Sequence, residues 1–289
     1  MPFFKTPDGV KLNFQMEGSG KTLLFLHGWT MCSRVWKYQL EWFAKEYQVI
    51  ALDLRGHGRS ESPNGDYSFL SLSKDIVSFI EGLQFEKLTL VGWSIAVSLI
   101  LGFVSSRLSS IDSLVLVDGT PTFVASEEFP HGLPSPVVKR MLKMVNSNFT
   151  QALEVFHSLL LSEQELEMEE KDEIWDLLTN ESYIPRQEVA SKSLVSLANE
   201  DLRDKIGNIT VPTLLIHGGK DKICPAGAGR YMKEHVKNSE IVILPEAGHA
   251  PFLTQADVFN QHLSCFLSSL WADVNRRDYK DCRGTDIKR

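Results

Sequence analysis

Residues 90–97 read LVGWSIAV. An apolar, β-rich run arrives at Gly92-Trp93-Ser94, and a second apolar run with helix-forming character leaves immediately. Strand, sharp turn and helix in that order form the setting in which G-x-S-x-G holds a serine hydroxyl above the edge of a sheet. The last position here is Ala96 rather than Gly, the next smallest side chain. A serine at the start of a helix can also be a plain N-cap. The flanking strand and helix favour a nucleophile.

Outward from this stretch, short apolar runs alternate with longer amphipathic ones. Strands are predicted at 10–17, 22–27, 48–53, 87–91, 113–117, 212–217 and 240–244. LLFL, LVLV and TLLI are apolar at consecutive positions, as in strands covered on both faces. Helical spacing runs through 35–46, 71–83, 95–107, 226–237 and 255–270. The pattern predicts an α/β fold, a mostly parallel sheet flanked by helices.

One stretch breaks the alternation. Residues 121–200 hold no convincing strand but several helical patterns, among them 137–145, 150–161 and 170–178, with Pro121, Pro130, Pro134 and Pro136 grouped at the start. The β pattern resumes at Val211, so 121–200 is read as a helical lid inserted into a core made of 1–120 and 201–271. An independent helical domain is the alternative. Residues 272–289 (ADVNRRDYKDCRGTDIKR) are highly charged with little apolar content and are expected to be disordered.

A serine hydroxyl needs a base, and the base needs a carboxylate to hold its tautomer. Among eight histidines, His249 in LPEAGHAPF stands out, because it follows the last predicted strand between small residues. For the acid, Asp221 in HGGKDKICP follows strand 212–217, with Asp118 in VLVDGTP as its rival one strand earlier. Asp221 is preferred, and Ser94…Asp221…His249 is the chain order of a G-x-S-x-G hydrolase. Two backbone N–H groups should face the developing oxyanion: Ile95, just after the serine, and Trp29 in LHGWT. The Trp29 ring would also wall the pocket.

The remaining features exclude more than they assign. A net charge of −7 argues against a general nucleic-acid binder. No apolar run approaches the roughly 20 residues that span a bilayer, and the first residues lack a signal-like apolar segment, so a cytoplasmic protein is expected. Cys32, Cys224, Cys265 and Cys282 lack metal-ligand spacing, and neither a disulfide framework nor a zinc site is expected. EGSGKT fails as a phosphate-binding loop because the pattern requires Gly where Gln15 stands.

LHGWT, LDLRGHGRS (52–60), VGWSIAV, HGGKDKICP and EAGHAPF are collinear, and over nearly its whole length the sequence resembles the α/β-hydrolase superfamily. Within it, LHGW, GWS, GHAPF and the stretch VDGTPTFVASEEFP most resemble the pimeloyl-[acyl-carrier protein] methyl ester esterases of biotin synthesis. The resemblance implies Ser94, Asp221 and His249 as a triad and Trp29 and Ile95 as oxyanion and substrate contacts. It also implies Phe156 as a lid aromatic on the acyl pocket. Leu159 and Leu160 lie three and four residues further on, so helical spacing would put them on the same face as Phe156. Lys139, Arg140 and Lys143 would dock an acidic carrier protein, although the acidic run 163–173 would oppose this on a shared face. The implied substrate is an ester, free or carrier-bound, with no metal or organic cofactor. Dehalogenases and epoxide hydrolases of this fold need Asp where Ser94 stands. A general carboxylesterase, thioesterase or lactonase remains open, as does a non-catalytic receptor that keeps the fold as a pocket.

Overall fold

The computed structural model describes residues 2–104 and 109–270. Its centre is an eight-stranded sheet: β1 (Phe3–Lys5), β2 (Lys11–Glu17), β3 (Thr22–Leu26), β4 (Gln48–Leu52), β5 (Leu88–Trp93), β6 (Ile111–Val117), β7 (Thr213–Gly218) and β8 (Ser239–Leu244). The strand order is β1-β2-β4-β3-β5-β6-β7-β8. The β1–β2 and β2–β4 pairs are antiparallel, and every later pair is parallel.

The consecutive apolar positions serve two faces. Leu23 and Phe25 of β3 join one buried cluster, while Leu24 and Leu26 join the other. Val115 and Val117 of β6 split from Leu114 and Leu116 in the same way. Successive side chains of a strand point to opposite faces, so a strand sandwiched between helices must be apolar throughout. On the first face lie α1 (Lys37–Phe43) and α11 (Ala256–Leu270). On the second lie α2 (Phe69–Gly82), α3 (Ile95–Phe103) and α9 (Ala226–His235).

Between β6 and β7 the chain forms α4 (Ser135–Ser147), α5 (Phe149–His157), α6 (Lys171–Thr179) and α7 (Gln187–Asn199), followed by the short α8 (Arg203–Ile206). The two ends of this insertion meet. Thr122 and Asp201 form an antiparallel bridge, and the Leu202 amide donates to the Pro121 carbonyl at 2.8 Å. Val138, Val145, Ala152, Phe156 and Ile174 of the insertion belong to the same apolar cluster as the first face of the sheet. The insertion therefore shares a core with the body.

Three details differ from the sequence reading. Strand β1 has only three residues, too few to show a period, and was not among the predicted strands. The pattern at 150–161 is shorter as a helix: α5 ends at His157, and 158–160 form turns. Cys265 is disulfide-bonded, where no disulfide framework was expected. The charged segment 272–289 lies outside the described residues. Among those described, no helix is long and apolar enough to cross a membrane.

Candidate active site

The site lies at the carboxyl edge of the parallel strands, where an open α/β sheet places its ligands. Three of the four non-glycine residues with positive φ among the described residues fall on this edge: Thr30 (φ 60) after β3, Ser94 (φ 58) after β5 and Asp118 (φ 46) after β6. Such backbone is costly for a residue with a Cβ, and it clusters where function needs it. At Ser94 the turn (φ 58, ψ −119) lifts the side chain out of the strand direction just before α3 begins. The Ser94 amide remains tied to the sheet by a 3.0 Å bond to the Val117 carbonyl.

Ser94, Asp221 and His249 come together from three loops. His249 Nε2 lies 2.9 Å from Ser94 Oγ, and His249 Nδ1 lies 2.7 Å from Asp221 Oδ2. The other oxygen of Asp221 accepts the amides of Ile223 at 2.8 Å and Cys224 at 2.9 Å. Burial works against charge on this carboxyl, but His249, together with His217 and the Cys224 amide, outweighs it and holds Asp221 below the usual carboxylate range. The rival Asp118 is placed otherwise: its Oδ1 accepts the Gly218 amide at 2.7 Å. Burial, then the charge of Asp221, pushes Asp118 well above the usual carboxylate range. Asp118, Asp221 and His249 bring a potential metal-ligand atom each to within 4.8 Å of one another. Two of the three groups are already bonded to each other.

The two expected oxyanion donors come from different turns: Ile95 follows the serine directly, and Trp29 follows β3. Ile95 opens α3, where helical amides have no acceptor within the helix. Trp29 lies in the turn after β3, closed by the Met31 amide on the Gly28 carbonyl at 3.2 Å. A Cβ at Gly28 would lie 2.9 Å from the Trp93 ring, so the glycine of LHGW and the tryptophan of GWS answer each other. The indole of Trp29 donates to the Ala190 carbonyl of α7 at 3.0 Å and meets the Phe156 ring edge-on at 4.8 Å between centroids. Trp29 and Phe156 are thus brought together where body and insertion meet.

Leu159 and Leu160 need correction. Both lie beyond the end of α5, so helical spacing does not place them beside Phe156. Leu159 is partly buried against the shared cluster, and Leu160 is buried. The Leu160 contribution is its backbone, whose carbonyl accepts the His249 amide at 2.7 Å. The His249 carbonyl in turn accepts the Trp93 indole N–H at 2.6 Å. Both peptide groups of the histidine are therefore gripped. Lys139, Arg140 and Lys143 are exposed on α4 and are not among the residues at the triad. Of the acidic run, the start of α6 packs against the 3-10 turn Ser33–Trp36. Trp93 and Glu165 were not singled out from the sequence; for Glu165 a signal existed in the S-x-x-E spacing of a helix-capping box.

A profile of the alpha/beta hydrolase fold matches residues 21–256. The pimeloyl-[acyl-carrier protein] methyl ester esterase of Nitrosomonas europaea is 30% identical over 260 residues, which cover 89% of this chain and 98% of that protein. An AB hydrolase superfamily protein of Bacillus subtilis is 27% identical over 270 residues, covering 92% of this chain and 99% of its own. Among solved structures, an esterase from Exiguobacterium antarcticum superposes with a TM-score of 0.85 at 27% identity, over 93% of this chain and 99% of that one. The chain belongs to the α/β-hydrolase fold family and is an enzyme of its esterase kind.

Proposed function

We propose that this α/β hydrolase is a serine carboxylesterase in which Ser94 is the nucleophile, His249 the base and Asp221 the acid. The observation that carries the reading is the continuous relay from Asp221 Oδ2 through both ring nitrogens of His249 to Ser94 Oγ, at 2.7 and 2.9 Å. His249 takes the Ser94 proton as Oγ attacks the ester carbonyl. The amides of Trp29 and Ile95 hold the negative oxygen of the tetrahedral intermediate. The C–O bond to the alcohol breaks, and His249 gives that proton to the leaving alcohol. A water, deprotonated by His249, then attacks the acyl-enzyme, releasing the carboxylate and restoring Ser94. Asp221 keeps Nδ1 protonated, and with it the tautomer that presents Nε2 to the serine.

The insertion is read as a lid over the acyl side of the site, with Phe156 against Trp29 and the buried Leu160 behind the histidine. For the substrate we propose the methyl ester of a carrier-bound pimeloyl chain. The similarity to pimeloyl-[acyl-carrier protein] methyl ester esterases over nearly the whole chain supports this, as do Lys139, Arg140 and Lys143, exposed on α4 toward an acidic partner.

Hydrolysis of a chromogenic acyl ester and labelling by a fluorophosphonate test the chemistry. Ser94→Ala should abolish labelling and cost on the order of 10⁶-fold in kcat. Activity within tenfold of the parent protein would remove Ser94 from the mechanism. Methanol release from the carrier-bound pimeloyl methyl ester, compared with the free diester, tests the substrate. Equal kcat/KM for the two would point to a general carboxylesterase.

A further inference from the structure

The histidine is placed partly by the insertion. Ser162 and Glu165 form a capping box: the Glu165 amide donates to Ser162 Oγ at 3.3 Å, and the Ser162 amide donates to Glu165 Oε2 at 2.7 Å. A capping carboxylate normally ends its work there, at the surface. This one is 4% exposed. Its Oε2 also accepts the Gly248 amide at 2.9 Å, and its Oε1 accepts the Thr254 hydroxyl. Gly248 directly precedes His249, and Thr254 closes the short helix α10 (Pro251–Thr254) that follows it. Two more bonds run alongside, from the His249 amide to the Leu160 carbonyl and from Ser162 Oγ to the Glu246 carbonyl at 2.8 Å. The approach is close enough to dictate a glycine. A Cβ at position 248 would lie 2.6 Å from the Leu160 carbonyl oxygen and 2.9 Å from Glu165 Oε2.

We infer that Glu165 is a positioning residue for His249: one buried carboxylate of the insertion holds the Gly248 amide before the histidine and the Thr254 hydroxyl after it, and so sets the Nε2–Oγ approach to Ser94. The inference rests on the triad reading above. A buried acceptor shared among three donors is costly to remove, because the Ser162 and Gly248 amides are left unpaired away from water. Displacing a reacting group by about 1 Å can cost on the order of 100-fold in rate. A cap that served only its own turn would affect stability and leave the rate of the folded enzyme unchanged.

The test compares Glu165→Ala, Glu165→Gln, Thr254→Val and the exposed neighbour Glu163→Gln as control, each checked for folding by circular dichroism and melting temperature. In folded Glu165→Ala, kcat should fall about 10- to 100-fold with KM within about twofold, and the rate of fluorophosphonate labelling at Ser94 should fall in step. Glu165→Gln keeps an oxygen for the Ser162 and Gly248 amides and should stay within about threefold of the parent. If Glu165→Ala does not fold, Thr254→Val carries the test, with an expected loss of about three- to tenfold in kcat. Parent-like kcat and labelling in whichever of these variants folds would overturn the inference, as would a loss confined to KM. Should Ser94→Ala itself retain activity, the triad reading fails. A dead Ser94→Ala beside an unaffected Glu165→Ala fails the positioning role alone.

Discussion

Two of the seams along which the insertion meets the body are built from different chemistry. The inner seam joins residues 160–165 to the loop around His249 through buried backbone amides, two hydroxyls and one carboxylate. The outer seam joins α6 to the 3-10 turn Ser33–Trp36 and the first residue of α1 through ion pairs in water. Arg34 reaches Asp176 at 3.0 Å and Lys37 reaches Glu173 at 2.6 Å, with all four side chains 29–54% exposed. The Arg34 guanidinium also lies over the Tyr183 ring, 4.6 Å from its centroid. Distances along the two seams are similar, but their consequences are not. Water competes for every exposed ion pair and salt screens it, whereas a buried donor that loses its acceptor has no substitute. Position at the histidine is therefore a property of the inner seam, and the outer seam adds alignment at low cost.

The largest expected effect comes from keeping the inner seam intact while removing what it serves. Asp221→Asn leaves the bonds from 160–165 to the His249 loop in place but takes the charge from beside Nδ1. It should lower kcat on the order of 10⁴-fold. Steady-state kinetics on a chromogenic ester check this, and a loss under tenfold would hand the acid role to Asp118.

Acid should act on both sides of the inner seam at intermediate strength. His157, at the end of α5 with its ring near Phe156 and Trp175, is held by burial at about 4, and in the body burial holds His27 at about 4 and His57 at about 3. Each folded value lies below the unfolded one near 6.5. Above pH 6.5 both states are neutral and stability is intact. As pH falls from about 6.5 toward 4, the unfolded chain takes up protons that the native state refuses, and stability is lost. The melting temperature should fall through that window, and His157→Phe should make the decline shallower. An unchanged slope in that variant would place the acid sensitivity entirely in the body.

The smallest effect should belong to the outer seam. The double variant Arg34→Ala, Lys37→Ala should lower the melting temperature by no more than about 2 °C, and by less at high salt. Its kcat should match the parent. A kcat loss as large as that of Glu165→Ala would erase the distinction between the seams.

What could be read beforehand follows the same division. Ser94, Asp221 and His249 each follow a parallel strand of the sheet, and both strand and the turn after it leave local marks: runs such as TLLI, then Gly-Gly or Gly-His. The sheet supplies the third dimension, so the meeting of these three residues was legible. The choice between Asp221 and Asp118 was narrower, since both follow strands and only Asp221 turns to the ring. The insertion was legible as helices but not as contacts. Leu159 and Leu160 were put on a helical face because apolar spacing continued, yet α5 had already ended at His157. Ser162-x-x-Glu165 is visible as a cap, but its second set of donors lies at Gly248 and Thr254, more than eighty residues away. No local pattern encodes a bond of that span.

The bridge between Thr122 and Asp201 has an evolutionary corollary. Because the insertion leaves and returns at one point, a foreign helical segment could be grafted there without re-threading a strand, so substrate range can diversify while the sheet stands still. Such a graft is not free of obligations. It must bring a carbonyl where Leu160 stands and an acceptor where Glu165 stands, or it inherits the scaffold and forfeits the histidine.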